Sequence, residues 1–289
     1  MRVRRELSDR LRRLGPLRPL AATAFDYHPY HSDGEAHPGA EASPNDGEGD
    51  ANAHGAELHQ AVLAVLRPAI LVGDLPDGIR LIEEEVAAHL GVSRGPVREA
   101  LGILRDEGLV TIAPRRGAVV TGLRPTDIDD LYDLRIVLEC HAIRRAATTV
   151  GPADVAYLRR LDATMVSASG PFAPTDVAFH RHVLVLARQE RLLAAWERIA
   201  GIVGGLLAVT DTSRPDLVRH ANLIAALEEH DGDTAAAMMH LHIRNAHRIM
   251  RGVLALRFDT ASSREGPSST TLKRHRNGRS MVDQGSWPG

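Results

Sequence analysis

Two groups of residues in this chain have the types and spacings that chemistry needs. The first lies in GVSRGPVREALGILRDEGLV, residues 91–110, where Arg94 and Arg98 stand four apart. They therefore project from one helix face, opposite Val97 and Leu101. A planar guanidinium can make bidentate hydrogen bonds to O6 and N7 of guanine, so arginines at the start of an exposed helix are suited to reading DNA. A merely solvated surface helix would have no need of the Gly-Val-Ser entry, of Pro96 or of the apolar stripe that follows. The second group lies in the C-terminal half. In PTDVAFHRHVLV, Asp176 and His180 are four apart and share a face. His220 and His242 fall in two later helical segments, His220 in the middle of the first, and an antiparallel arrangement can bring them level. One carboxylate and three imidazoles suit a first-row divalent ion (zinc, nickel or manganese), with positions left open for water or a ligand. The chain has 15 histidines, which dilutes that signal, because a lone histidine is more often a surface or core residue than a ligand.

Bulk composition leaves both chemistries open. A chain of 289 residues is long enough for two ordinary domains. Aromatics at 3%, beside abundant Ala and Leu, favour a helical interior. The single Cys140 cannot form an internal disulfide. One lysine, Lys273, stands against 34 arginines, a bias that a GC-rich genome explains as well as a nucleic-acid partner does. Position must therefore decide. Residues 57–124 hold eight arginines and nine acidic residues, so any basic surface there is local. Glu83, Glu84 and Glu85 are expected to sit away from a DNA groove, or to temper non-specific binding. No apolar run approaches the roughly 20 residues of a membrane span. Pro16, Arg18 and Pro19 also break the stretch that an export signal would need, so a cytoplasmic protein is expected.

The elements that would position these residues can be read from periodicity. Residues 1–56, an Arg-rich start with the makings of a short helix and then a Gly-, Pro- and acid-rich stretch, read as a disordered extension. Residues 258–289 read as a disordered tail. Leu58, Val62, Val65, Leu66 and Ile70 lie at helical spacing, with Pro68 expected to bend or end that helix. A turn at Gly73 and Pro76-Asp77-Gly78 leads to a helix over 82–90 and a third from Ser93, an N-cap residue type. LVTIAP and GAVVTGL read as two strands joined at Pro114-Arg115-Arg116-Gly117. Residues 57–123 thus order as three helices and a β-hairpin, a winged helix-turn-helix whose third helix would enter the major groove. Residues 126–257 hold about six helical segments broken at turn formers, an all-α antiparallel bundle.

The run from Gly73 through GVSRGPVREAL, GLV and PRRG resembles the winged-helix domain of the GntR family of bacterial transcription regulators. The resemblance implies DNA-contacting roles for Ser93, Arg94, Gly95 and Arg98, and for the wing residues Arg115, Arg116 and Gly117. Gly95 stands where a threonine is common, and Asp77-Gly78 replaces the usual Pro-Gly. The later helices resemble the FCD ligand-binding domain of the FadR subfamily, whose D-x-x-x-H and paired distal histidines match Asp176, His180, His220 and His242. The resemblance implies that these four hold the metal. Arg135 and Glu139 resemble that domain's R-x-x-x-E, with Arg135 either meeting an effector carboxylate or serving in a structural ion pair. ARQERLL departs from the usual Gly-Asn turn, so the helix after it is expected to start differently.

The function these readings imply is a homodimeric, metal-assisted sensor of a small carboxylate effector. It would bind double-stranded DNA at a pseudo-palindromic operator and act as a transcriptional regulator, with repression typical of the family. The alternative is a metal-dependent all-α hydrolase with an appended winged helix, for which His230-Asp231 is the one suggestive motif.

Overall fold

A computed structural model describes residues 2–14, 46–113, 117–167, 172–210 and 220–264. The N-terminal part contains α1 (Arg2–Leu14), α2 (Asp46–Leu71), β1 (Arg80–Leu81), α3 (Glu83–Leu90), α4 (Arg94–Asp106), β2 (Val110–Ala113) and β3 (Gly117–Val120). The rest is helical: α5 (Pro125–Ala146), α6 (Pro152–Val166), α7 (Phe172–Leu186), α8 (Glu190–Thr210), α9 (Ala221–Glu228) and α10 (Gly232–Arg264). The fold is mostly α, a winged helix-turn-helix head followed by a helical bundle.

Several expectations change at the edges of elements. Residues 2–14, expected in a disordered extension, instead form α1. Leu7 and Leu11, one turn apart, are buried as α1 packs on α3 and β1, each contributing about 1.5–3 kcal/mol from burial. Helix α2 begins at Asp46, well before residue 57, and α10 runs on to Arg264, past residue 257. The remainder of the two expected disordered stretches, 15–45 and 265–289, lies outside the described residues. Pro68 does not end α2, which continues to Leu71. Pro68 forfeits only its own N–H donor, and its carbonyl still accepts from Val72 N at 2.9 Å.

The head holds three strands rather than two, in the order β1-β3-β2, all antiparallel. Two residues of β1 are too few to show an alternating pattern, which is why only the hairpin was legible. Gly117 begins β3 with φ 76, and a Cβ there would lie 2.8 Å from the Leu81 carbonyl oxygen. The residue is therefore required both by its left-handed backbone and by the close approach of β1. Leu66, Leu81, Val97, Leu104 and Leu109 form the core beneath these elements.

In the bundle, α5 and α6 each open on a proline (Pro125 and Pro152). Asp127 and Asp154 reach back to accept the N–H groups of Arg124 (2.7 Å) and Gly151 (3.0 Å). Arg188 adopts φ 51 at the turn before α8, where the sequence lacks the glycine that such a conformation favours. Helix α8 overturns the expectation that no apolar run is long enough for a membrane span. Glu190–Val209 has a mean hydropathy of 1.6 over its most apolar window. Its Trp196, Val203 and Leu206 are buried as it packs against α7, α5 and the head's α2, so its apolar character is that of a core helix. His220 lies not mid-helix but just before α9, with φ −94 and ψ 0, and its backbone N–H donates to Asp162 at 3.1 Å.

Candidate metal centre and nucleic-acid interface

Asp176 and His180 project from α7, His220 stands at the mouth of α9, and His242 comes from α10. One donor atom from each lies within 4.8 Å of the others. The Nε2 atoms of His180 and His220 are 3.4 Å apart, and Asp176 Oδ1 is 3.5 Å from His220 Nε2. Three of the four are buried and His242 is half-buried. Desolvation pushes both His220 and His242 below the usual imidazole range, with His242 pushed further by the neighbouring His220 and His180. Both rings are thereby kept neutral, which is the form that ligates metal. The buried Asp176 Oδ1 has no hydrogen-bond partner among the described residues, which in a closed interior is costly unless a cation sits opposite. The donor set, three imidazoles and one carboxylate, fits a first-row divalent ion.

A buried network backs this cluster. Glu139 Oε2 lies 2.5 Å from His180 Nδ1, while Glu139 Oε1 accepts from Arg135 Nε at 2.8 Å and from Trp196 Nε1 at 2.9 Å. A carboxylate this close to Nδ1 is placed to fix the imidazole proton there, which would leave Nε2 as the ligating lone pair. Burial pushes the Glu139 carboxyl up, but the Arg135 guanidinium and His180 outweigh it and hold it well below the usual carboxylate range. Tyr132 lies under Arg135, 5.3 Å from ring centre to guanidinium carbon, and burial raises its phenol to about 12. Arg135 is thus in the structural ion pair. It also lines a tight cavity of about 10 Å³ shared with Asp176, His242, Leu207 and Met250. Sequence reasoning missed the parts of Trp196 and Glu139 in orienting His180. Trp196 carries no spacing signal, but it is one of only two tryptophans and sits in an apolar helix, where its N–H needs a buried acceptor.

On the head, Ser93, Arg94, Gly95 and Arg98 are all exposed at the start of α4, while Val97, Ala100, Leu101 and Leu104 are buried behind them. Ser93 occupies the N-cap position without a side-chain cap bond, so its hydroxyl is not used by the helix. Arg98 is held by Glu83 of α3, Nη2 to Oε2 at 2.9 Å with Nε at 3.2 Å. Glu83 therefore does not sit away from the arginines but directly against one. Arg115 and Arg116 lie outside the described residues. Gly117 faces the Leu81 carbonyl, a packing role within the sheet.

The two parts meet through α8. Arg67 of α2 forms a bidentate pair with Glu107, Nε to Oε2 at 2.9 Å and Nη2 to Oε1 at 2.6 Å. A Cβ on Gly201 would lie 2.3 Å from Glu107 Oε1, and one on Gly205 would lie 2.8 Å from both Arg67 Cδ and Leu71 Cδ1. His230-Asp231, the motif behind the hydrolase alternative, is a turn. His230 Nδ1 faces the Ala147 carbonyl at 2.8 Å, and Asp231 Oδ1 accepts from Thr234 N at 3.0 Å at the start of α10.

A helix-turn-helix head with exposed arginines on its recognition helix, joined to a bundle that gathers side chains able to ligate a metal, has the architecture of a DNA-binding regulator. Residues 58–120 match the bacterial regulatory proteins of the gntR family, and residues 130–245 match the FCD domain. The chain belongs to the GntR family of transcriptional regulators, with an FCD domain after the head, and is not an enzyme. It is 36% identical over 137 residues to an HTH-type transcriptional regulator of Agrobacterium vitis from the TAR-I ttuE-ttuC' intergenic region, covering 45% of this chain and 80% of that one. It is 29% identical over 197 residues to the gluconate operon transcriptional repressor of Bacillus licheniformis, covering 62% and 79%. A solved GntR regulator from Rhodococcus sp. RHA1 superposes with a TM-score of 0.52 at 26% identity, covering 67% of this chain and 97% of that one.

Proposed function

We propose that the chain is a cytoplasmic, homodimeric, metal-assisted sensor of a small organic acid that represses transcription by occupying a pseudo-palindromic operator. The observation that carries the sensing half is the buried cluster Asp176, His180, His220 and His242, with donor atoms within 4.8 Å and an unpartnered carboxylate oxygen. A divalent ion held there would supply an open coordination position for a carboxylate. Arg135 lines the same cavity and offers the second, charge-assisted contact, so effector and structural roles coexist in one side chain. The wing residues Arg115 and Arg116 and the α4 residues Ser93, Arg94, Gly95 and Arg98 are the proposed DNA contacts. The division into a head (57–123) and an effector domain (126–257) is part of the same reading. Repression is favoured by the relative named as a gluconate operon repressor.

A cavity of about 10 Å³ holds about one water, so an organic acid must widen it. Leu207 of α8 lines that cavity, and Gly205 of the same helix abuts Arg67 and Leu71 of the head. Widening therefore displaces the helix on which the head rests, and an effector acts by favouring one head arrangement over another. For the dimer, Val137 and Leu241 are exposed apolar residues on α5 and α10, which Asp133–Arg244 (3.6 Å) and Asp129–His247 (2.8 Å) hold antiparallel. A second copy covering them would bring two α4 helices to successive major grooves.

The deciding measurement is metal content of the purified protein beside its His180→Ala/His242→Ala variant. About one divalent ion per chain, lost in the variant, supports the pocket and leads to a carboxylate screen by DNA release. No ion after addition of zinc, nickel or manganese would return the histidines to the fold and remove the effector chemistry, leaving the DNA-binding role standing.

A further inference from the structure

Helix α1 lies outside the stretch that matches the winged-helix family, yet it is folded onto the head. Leu7 and Leu11 are 0% and 1% exposed, and Arg10 Nη1 donates to the Asp74 carbonyl at 3.2 Å. Residues 57–124 hold eight arginines against nine acidic residues, a balance of −1. Residues 2–14 hold Arg2, Arg4, Arg5, Arg10, Arg12 and Arg13 against Glu6 and Asp9, a balance of +4. By sequence, α1 thus adds positive charge to a slightly acidic head. Its position matters as much as its charge. It rests on α3, the first helix of the helix-turn-helix, and α3 carries Glu83, which holds Arg98 of the recognition helix. In this motif the first helix crosses the DNA backbone, so a helix packed on it can come within reach of phosphates rather than bases. Arg12 and Arg13 are exposed near the end of α1; Arg12, with a side chain 70% exposed, pairs with the less exposed Asp9 at 3.2 Å.

We propose that α1 is a second DNA-contacting surface, with Arg12 and Arg13 meeting backbone phosphates beside the groove that α4 reads. The proposal rests on the DNA-reading role given to α4. Contacts of this kind carry no sequence information. They raise affinity for any duplex and steepen its salt dependence.

The test uses the full chain and a labelled random-sequence duplex, with anisotropy titrations across a range of salt concentrations. It compares the unaltered protein with Arg12→Ala/Arg13→Ala and Arg12→Lys/Arg13→Lys. Each lost phosphate contact removes about 0.9 from the slope of log K against log salt, so the alanine pair should lose about 2 and the lysine pair should retain the slope. An unchanged slope in the alanine pair, with the unaltered protein binding normally, overturns the proposal and leaves α1 as a cover for the head's core. A loss that lysine does not restore overturns it as well, since it would report guanidinium bonds within the protein. If the unaltered protein binds no duplex even at low salt, the DNA-reading role of α4 fails first and the proposal falls with it.

Discussion

The exposed edge of α4 in the head and the Asp-His cluster of the bundle are built in opposite ways. The first is contiguous, Ser93, Arg94, Gly95 and Arg98 on one exposed turn of α4, with its charges facing water. The second draws Asp176 and His180 from α7, His220 from the residue before α9 and His242 from α10, and sets them, mostly buried, over an ion-pair network. A surface edge depends on helix register alone, so removing one of its side chains changes binding and little else. A buried cluster depends on packing and on complete pairing, so removing a member changes fold and function together.

The largest expected effect tests that second statement. Arg135→Ala leaves Glu139 buried beside His180 without its cation, and breaking such a pair costs about 3–5 kcal/mol. Denaturant melts should show it. The folded-state carboxyl of Glu139 is depressed, so its contribution is present above the ordinary unfolded value and lost as pH falls through the lower folded one. The variant's deficit should therefore be full at neutral pH and shrink only in strong acid. A deficit that disappears at mildly acidic pH would sink the account of Glu139 as an ionised, paired group.

Legibility in the sequence follows the same division. The head could be read from GVSRGPVREAL because apolar period, cap residue and arginine spacing all lie within a few turns. The third strand could not, since β1 is two residues long and exists only through β3. In the bundle, Asp176 and His180 announced themselves by their i, i+4 spacing. Their meeting with His220 and His242 needed the antiparallel order, and His220 turned out to precede its helix rather than sit within it. Helix α1 was misjudged because two leucines in an arginine-rich segment look solvated until a partner surface is supplied. Trp196 and Glu139 are linked across 57 positions, a pairing that no local pattern encodes.

The same buried pair can be opened from its acidic side, which also strips Arg135 of its anion, so metal affinity is to be read on protein shown to be folded. Glu139→Gln keeps volume and a hydrogen-bonding group while removing the carboxylate against His180 Nδ1. Loss of such a partner lowers metal affinity by about 10–100-fold. Competition with a chelating dye would measure it, and an unchanged affinity would mean that His180 is oriented by packing alone. On the exposed side, Arg98→Ala should cost about 1–3 kcal/mol of discrimination between an operator and its mutated copies, with melting temperature unmoved. A fall in melting temperature instead would show that its bond to Glu83 serves the head's stability more than DNA reading.

The smallest resting effect, and the sharpest for the comparison, belongs at the joint between the two regions. A methyl at Gly205 would sit 2.8 Å from Arg67 Cδ and Leu71 Cδ1, so Gly205→Ala must displace these side chains of the head's α2 and alter its contact with α8. Neither the candidate metal ligands nor the α4 arginines are touched, and metal content and DNA affinity without effector should each stay near those of the unaltered protein. What should change is the coupling between them. Couplings of this kind are about 1–3 kcal/mol, so loss of contact through α8 would reduce the shift in DNA affinity caused by effector by about 5–150-fold. The coupling is reciprocal, so operator DNA should also cease to alter effector affinity in the variant. If both shifts survive intact, the two regions communicate by a route other than α8, and the contact of Gly201 and Gly205 with the head is packing only.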